Sequence, residues 1–275
     1  MSYLRGGVAV VTGAASGIGR ALAQQLSAAG SALALADINE RGLAETAASL
    51  TNQEASVSTH IVDVSDEARI RGFSEEVLAK HGRVTLLINN AGVALHGTLQ
   101  EIALDDFRWL MGINFWGTVY GVNYFLPILR QQPRAHIVNL SSVFGMVAPA
   151  GQGAYSSSKF AVRGFTECLR HELEGTSVGV SCVQPGGIRT PIAAQARLGA
   201  NTPKSAKEES VALFARVART SPETAAARIL RGVERREPRI LIGKDAHQID
   251  MLQRLRPATY WKTLSKQIEK ASRKK

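Results

Sequence analysis

Thr12-Gly13-Ala14-Ala15-Ser16-Gly17-Ile18-Gly19 joins a short apolar run, residues 7–12, to a segment of helical periodicity, residues 18–29. A turn in that position brings backbone N–H groups to the positive end of a helix, where a pyrophosphate binds, and glycine permits the close approach. The glycines fall at 13, 17 and 19, which is not the G-x-G-x-x-G spacing. Glycines can also serve strand–helix packing alone, but placement in the first strand–helix unit favours the phosphate reading.

Outward from that turn, apolar runs at 31–36, 56–62, 84–89, 135–142, 177–184 and 239–242 alternate with helical patterns such as 66–81, 104–130 and 155–173. The runs are nearly all apolar, as in a parallel sheet buried on both faces. Such alternation implies an α/β fold, a doubly wound parallel sheet with right-handed crossovers. No internal repeat or low-complexity linker is present, so residues 1–250 read as one domain, followed by a basic amphipathic helical extension at 251–275. Residues 191–220, rich in Ala, Lys, Glu and Ser, read equally well as a lid over a cleft or as a polar surface helix.

Hydrophobic residues make up 45% of the chain and charged residues 20%, which places it with globular enzymes rather than disordered chains. The start of the chain reads as a first strand rather than a signal peptide, and no apolar run is long enough to span a bilayer. Cys168 and Cys182 lack metal-ligand spacing and the six histidines form no zinc motif, so free thiols, a cytoplasmic setting and no metal are expected. The net charge is +10, of which residues 251–275 carry +7 from eight basic side chains against one acid. A body so close to neutral argues against a nucleic-acid groove. In the tail, Trp261, Leu264 and Ile268 share a helical face, and Lys262, Lys266 and Lys270 repeat on another. Such a helix can lie on an anionic membrane, although packing on its own domain or on a neighbouring subunit is the favoured reading.

Asp37 ends the second run, 18 residues after Gly19. A carboxylate there can accept both ribose hydroxyls of NAD and repels the extra phosphate of NADP; the competing reading is a helix cap. Ser16 and Ile38, where a cation could hold that phosphate, are uncharged, while Arg41 is close enough to leave dual use open. Asp63-Val64 and Asn89-Asn90-Ala91-Gly92 follow the third and fourth runs, at the strand ends where open α/β sheets bind ligands. Tyr155 and Lys159 stand four apart on one helical face. An ammonium near a phenol, with a positively charged nicotinamide close by, favours the phenolate, and a tyrosine so tuned can exchange a proton with an alcohol or carbonyl oxygen. Ser142, at the end of the fifth run, could hydrogen-bond the same oxygen.

With these residues in order, the chain resembles the shorter, single-domain branch of the short-chain dehydrogenase/reductase family, with its Rossmann fold. The resemblance spans residues 7–242 and rests on Thr12-Gly13-x-x-x-Gly17-Ile18-Gly19, Asn89-Asn90-Ala91-Gly92, Asn114, Ser142, Tyr155-x-x-x-Lys159 and Pro185-Gly186-x-x-x-Thr190. It implies a catalytic tetrad of Asn114, Ser142, Tyr155 and Lys159. In that tetrad Tyr155 is the acid/base and Ser142 positions the substrate oxygen. Lys159 holds the nicotinamide ribose and lowers the Tyr155 pKa, and Asn114 supports a water relay. It also implies that Asp63 and Val64 flank the adenine, Asn90 meets the adjacent ribose beside Ala91 and Gly92, and Ile188 and Thr190 meet the nicotinamide carboxamide after Pro185 and Gly186. A homodimer or homotetramer through the helices of Asn114 and Tyr155 is implied as well.

Residues 93–96 and 143–149 are expected to border a cleft for a small hydrophobic alcohol or carbonyl compound, with His96 satisfying a loop hydrogen bond; ordinary loop packing is the competing reading. A Ser142-dependent hydrolase is disfavoured because no Gly-x-Ser-x-Gly elbow is present. A non-catalytic dinucleotide sensor is disfavoured because both Tyr155 and Lys159 are retained.

Overall fold

Valine, leucine and alanine fill β1 (Val8–Thr12) and β2 (Ala32–Asp37), which pair in parallel from Val8 opposite Ala32 to Thr12 opposite Ala36. Alternate β1 residues feed opposite faces. Val11 packs with Leu22, Leu26, Ile229 and Val233, while Val10 packs with Phe73, Val77, Phe125 and Leu129. Two cores, one on each side, explain why the strand is apolar without alternation. The computed structural model describes residues 3–52 and 55–273, with no side-chain description from 271 onward. Met1 and Ser2 of the expected chain start and the tail's Lys274 and Lys275 lie outside the described residues.

The remaining strands are β3 (Val57–Ile61), β4 (Leu86–Asn89), β5 (Leu95–His96), β6 (Ala135–Leu140), β7 (Val178–Pro185), β8 (Arg197–Leu198) and β9 (Arg239–Ile242). The helices are α1 (Gly17–Ala28), α2 (Glu40–Ala48), α3 (Glu67–His81), α4 (Leu104–Met111), α5 (Gly117–Arg130), α6 (Gly153–Glu172), α7 (Lys204–Val217), α8 (Pro222–Glu234), α9 (Lys244–Leu255) and α10 (Tyr260–Arg273). Seven strands form one parallel sheet in the order β3-β2-β1-β4-β6-β7-β9, so the fold is the doubly wound Rossmann architecture in a single domain. The order reverses between β1 and β4, and ligands bind such sheets at the carboxyl ends beside that reversal.

Local signals place several boundaries. Ser221 Oγ accepts from Thr224 N at 3.2 Å and Pro222 follows it, so α8 starts where the sequence marks it. Asp66 caps α3 in the same way, and Gly82 ends it at φ 72°.

Three features depart from the sequence expectation. The helix read over 104–130 is broken by a π-helical turn, Gly112–Trp116, between α4 and α5. Two-residue strands β5 and β8 pair in parallel away from the main sheet. The boundary read at residue 250 falls inside α9. Leu264 of α10 is buried and α10 packs against α7, while Trp261, Lys262, Lys266 and Lys270 are exposed. Among the described residues no helix is long and apolar enough to cross a membrane.

Candidate active site

The glycine-rich turn is built by backbone that only glycine tolerates. Gly13 and Gly17 have φ of 66° and 53°. A side chain on Gly13 would come within 2.8 Å of Ala91 Cα, and one on Gly19 within 2.0 Å of the Gly13 carbonyl oxygen. Ser16 stands at the N-cap of α1 without using its side chain to cap, and the first turn has no acid, so the leading N–H groups of α1 remain open to an anion. Across the turn, Gly17 faces Thr190, whose Cγ2 lies 3.0 Å from where a Cβ would stand. Ile18 is half-buried against the core. The cradle between Gly13–Gly19 and Thr190 therefore fits a pyrophosphate approached by backbone.

Asp37 does not cap α2; Asn39 does, accepting from Gly42 N at 3.1 Å. Asp37 instead turns toward the glycine turn, accepting from Ala15 N and from Asn39 N, each at 2.9 Å. Its carboxylate retains acceptor capacity for ribose hydroxyls. Arg41 points away, its side chain 91% exposed and paired with Glu45. Asn90 spends its amide N–H groups on the Thr12 and Gly13 carbonyls, at 2.9 and 3.0 Å, leaving Oδ1 for a ligand. Thr12 Oγ1 accepts from the N–H groups of Asn90 and Ala91 and locks that loop to β1. Just past β3, Asp63 is exposed and receives Ser65, while Val64 is buried against Gly117.

The proposed tetrad converges at the ends of β4 and β6. Ser142 Oγ accepts from Phe144 N at 3.1 Å, capping a 3-10 turn, and its hydroxyl also hydrogen-bonds the Tyr155 phenol. Lys159 lies one helical turn beyond Tyr155 on α6, buried, with Nζ donating to the Leu140 carbonyl at 3.0 Å and standing 5.7 Å from the Tyr155 ring centroid. Two of its three N–H bonds remain for a ligand. Asn114 sits in the π-helical turn and clamps Val93, donating to its carbonyl at 3.0 Å and accepting from its N–H at 2.8 Å; it also donates to Ser158 Oγ. A side chain on Gly92 would lie 3.2 Å from Asn114 Oδ1 and 3.4 Å from Lys159 Nζ, so this glycine keeps the floor of the site open.

Burial pushes the Tyr155 phenol up to about 12, with the Ser142 hydrogen bond acting in the opposite sense. The Lys159 ammonium donates to the Leu140 carbonyl, and desolvation is the largest influence on the phenol. Burial likewise pulls Lys159 down to about 8.

Pro185 ends β7, and Gly186 N–H donates to the Ile242 carbonyl at 2.9 Å. Ile188 is buried and bridged to Thr220, which sets Thr190 opposite Gly17. The segment after Ser142 divides. Val143 and Met146 pack into a small core with Ala246 of α9, contrary to the cleft-lining expectation for the whole stretch, and only Phe144 turns its edge to Tyr155, 6.1 Å between centroids. His96 accepts from Gln152 at 2.8 Å and donates to Ser210 Oγ of α7 at 2.7 Å, the loop role expected of it. The sequence reading missed Arg20, whose guanidinium binds the Ala15 carbonyl at 2.6 Å, Thr46 and Glu45, pinning the glycine turn to α2. A lone cation beside Gly19 in an otherwise uncharged helix was the available signal.

The sequence profile described as short chain dehydrogenase matches residues 7–201. The chain is 39% identical over 274 residues to the putative oxidoreductase SadH of Mycobacterium tuberculosis, covering 98% of each chain. It is 33% identical over 281 residues to the dehydrogenase/reductase SDR family member 7B of Xenopus laevis, covering all of this chain and 85% of that one. A short-chain dehydrogenase/reductase from Burkholderia phymatum, solved in complex with NAD, superposes with a TM-score of 0.86 at 34% identity, over 94% of this chain and 96% of the other.

Proposed function

The chain belongs to the short-chain dehydrogenase/reductase family of oxidoreductases, and we propose that it transfers a hydride between NAD(H) and a hydrophobic secondary alcohol or ketone with Tyr155 as the proton-transfer residue. The observation that carries this reading is the convergence of Ser142, Tyr155 and Lys159 beside the glycine turn at the switch point of the sheet.

The nicotinamide supplies hydride chemistry and, when oxidised, a positive charge. Gly13, Ser16, Gly17, Ile18 and Gly19 receive the pyrophosphate, Asp37 the adenosine ribose, and Asp63 and Val64 the adenine edge. Asn90, Ala91 and Gly92 border the ribose. Pro185, Gly186, Ile188 and Thr190 form the turn at the nicotinamide end, and Lys159 donates to its ribose. NAD is favoured over NADP because Asp37 faces the turn while Arg41 is turned out. The Burkholderia phymatum relative, solved with NAD, supports a nicotinamide dinucleotide as the cofactor.

Ser142 donates to the substrate oxygen and fixes it against the Tyr155 hydroxyl. In reduction the phenol, protonated at neutral pH with its value near 12, gives its proton to the developing alkoxide. In oxidation the same oxygen takes the proton from the alcohol, and there the cationic Lys159 lowers the cost of the phenolate. The side-chain amide of Asn114 is occupied by Val93 and Ser158, and its backbone carbonyl accepts from Thr118 Oγ1 at 3.2 Å, so a proton-relaying water would meet that carbonyl's second lone pair. Phe144 beside Tyr155 supports an apolar substrate.

A panel of hydrophobic ketones and secondary alcohols, assayed with each nicotinamide cofactor by nicotinamide absorbance, identifies the pair used. On the substrate so found, Tyr155→Phe is expected to lose roughly 10²–10⁴-fold in turnover. NADH affinity, read by fluorescence titration, stays as in the wild type. A variant that keeps wild-type turnover sinks the mechanism.

A further inference from the structure

Asp245 stands in the first turn of α9, beyond the region matched by the family profile, yet its carboxylate reaches into the nicotinamide end of the site. Oδ2 accepts from Gly187 N at 2.7 Å. The carboxylate also occupies the space that side chains would take on two glycines. A Cβ on Gly186 would lie 2.1 Å from Oδ2, and one on Gly243 2.3 Å from Oδ1. Gly243 has φ of 94°, which aims the start of α9 back at the turn. No cation lies within salt-bridge distance of Asp245 among the described residues. This carboxylate is therefore spent on backbone, and a charge-assisted bond of that kind is stronger than a neutral one.

Just after the turn, Ile188 bridges to Thr220 and Arg189 N–H donates to the Thr220 carbonyl at 2.9 Å, while the turn itself has weaker holds. Gly186 N–H donates to Ile242, and Thr220 N–H donates to the Gly187 carbonyl at the long distance of 3.3 Å. Gly186 and Gly187 bring no side chains of their own, so the path from Pro185 to Ile188 depends on what presses on it from outside.

We propose that Asp245 is a positioning residue for the nicotinamide half of the cofactor site, its carboxylate fixing the Pro185-Gly186-Gly187 turn so that Ile188 and Thr190 face the ligand. The proposal rests on the reading that this turn meets the nicotinamide. A second acidic residue of α9 supplies the comparison. Asp250 pairs with Arg239, whose guanidinium also reaches Gln184 Oε1 at 2.6 Å and Met146 Sδ at 2.8 Å. Asp250 thus anchors the same helix without touching the turn.

Titrating the full-length chain with NADH, by nicotinamide fluorescence, distinguishes a positioning role from mere attachment of α9. Asp245→Ala removes the acceptor and is expected to raise the Kd for NADH roughly tenfold, the worth of one charged hydrogen bond. Asp245→Asn keeps an acceptor oxygen and should recover most of that loss. Asp245→Glu, one methylene too long for the space beside Gly186 and Gly243, should weaken binding while keeping the charge, and serves if the alanine variant does not fold. Asp250→Asn should lower the melting temperature and leave the Kd within about twofold. A wild-type Kd in Asp245→Ala and Asp245→Glu overturns the proposal, and so does an equal rise in Asp250→Asn. If the wild type itself binds neither NADH nor NADPH, the cofactor reading fails instead.

Discussion

Lys159 holds an ammonium at 4% exposure with the Leu140 carbonyl as its hydrogen-bond acceptor. Its burial lowers the pKa from 10.5 to about 8, which is worth roughly 3 kcal/mol against folding when the group is charged. The unfolded chain binds the extra proton between those two values, so this cost is full below pH 8 and fades as the pH rises to 10.5. Lys159→Met is therefore expected to abolish turnover while raising the melting temperature at pH 7, with the difference from wild type shrinking between pH 8 and pH 10. Tyr155 works in the opposite sense above pH 10, since its raised value loses stability there, but it is common to both proteins and cancels in the comparison. Melting curves across that range decide the matter, and a variant less stable at every pH refutes the argument. At this scale Tyr155, Lys159 and Ser142 were legible because four-residue spacing on a helix and a strand end fix their meeting. Arg20 and Asp245 were not, because their partners are other parts of the backbone; Asp245 and Gly187 stand 58 residues apart.

Helix α7 has no fully buried residue, and its inner face of Ser210, Val211, Leu213 and Phe214 is only half-covered. That is the profile of an element of low local stability, which suits a lid or a polar surface helix alike. Its polar tie to the catalytic side is the bond from His96 to Ser210, with Thr202 Oγ1 donating to the His96 carbonyl beside it. Burial, with a smaller push from Lys207, lowers the His96 pKa, so the ring stays neutral and the arrangement holds at pH 7. Ser210→Ala removes one hydrogen bond of about 1 kcal/mol. The expected result is faster amide exchange in α7 and a several-fold rise in substrate KM with kcat little changed; unchanged exchange would show that α7 is held by other contacts. Most main-sheet strands were legible at the level of elements because each is an apolar run, while β3, Val-Ser-Thr-His-Ile, was legible by its β-branched residues at the sheet edge. The π-helical turn at Gly112–Trp116 was not, since one wider turn leaves helical periodicity intact on both sides. The pair β5–β8 was not either, because two residues carry no period.

At the scale of the whole molecule, the most exposed Trp and Phe side chains among the described residues lie on the π-helical turn and α6. Trp116 and Phe160 are 47% and 41% exposed; Tyr120 stacks on Trp116 at 5.8 Å, and Phe115 stands edge-on to Trp116 at 5.6 Å and to Phe165 at 6.3 Å. Exposed aromatic clusters of this kind suit a self-complementary contact in which the same patch on two copies meets about a two-fold axis. The elements bearing it are also those of the reaction centre, since the π-helical turn carries Asn114 and α6 carries Tyr155 and Lys159. Pairing would therefore stiffen the scaffold under the catalytic groups as well as cover apolar surface. The paired variant Trp116→Glu with Phe160→Glu places like charges in the contact and is expected to convert the particle to a monomer by light scattering. Specific activity should fall with that change, and wild-type activity should decline on dilution through the dissociation range. A wild type that runs as a monomer at micromolar concentration refutes this assembly, and an intact oligomer in the variant moves the contact to another face.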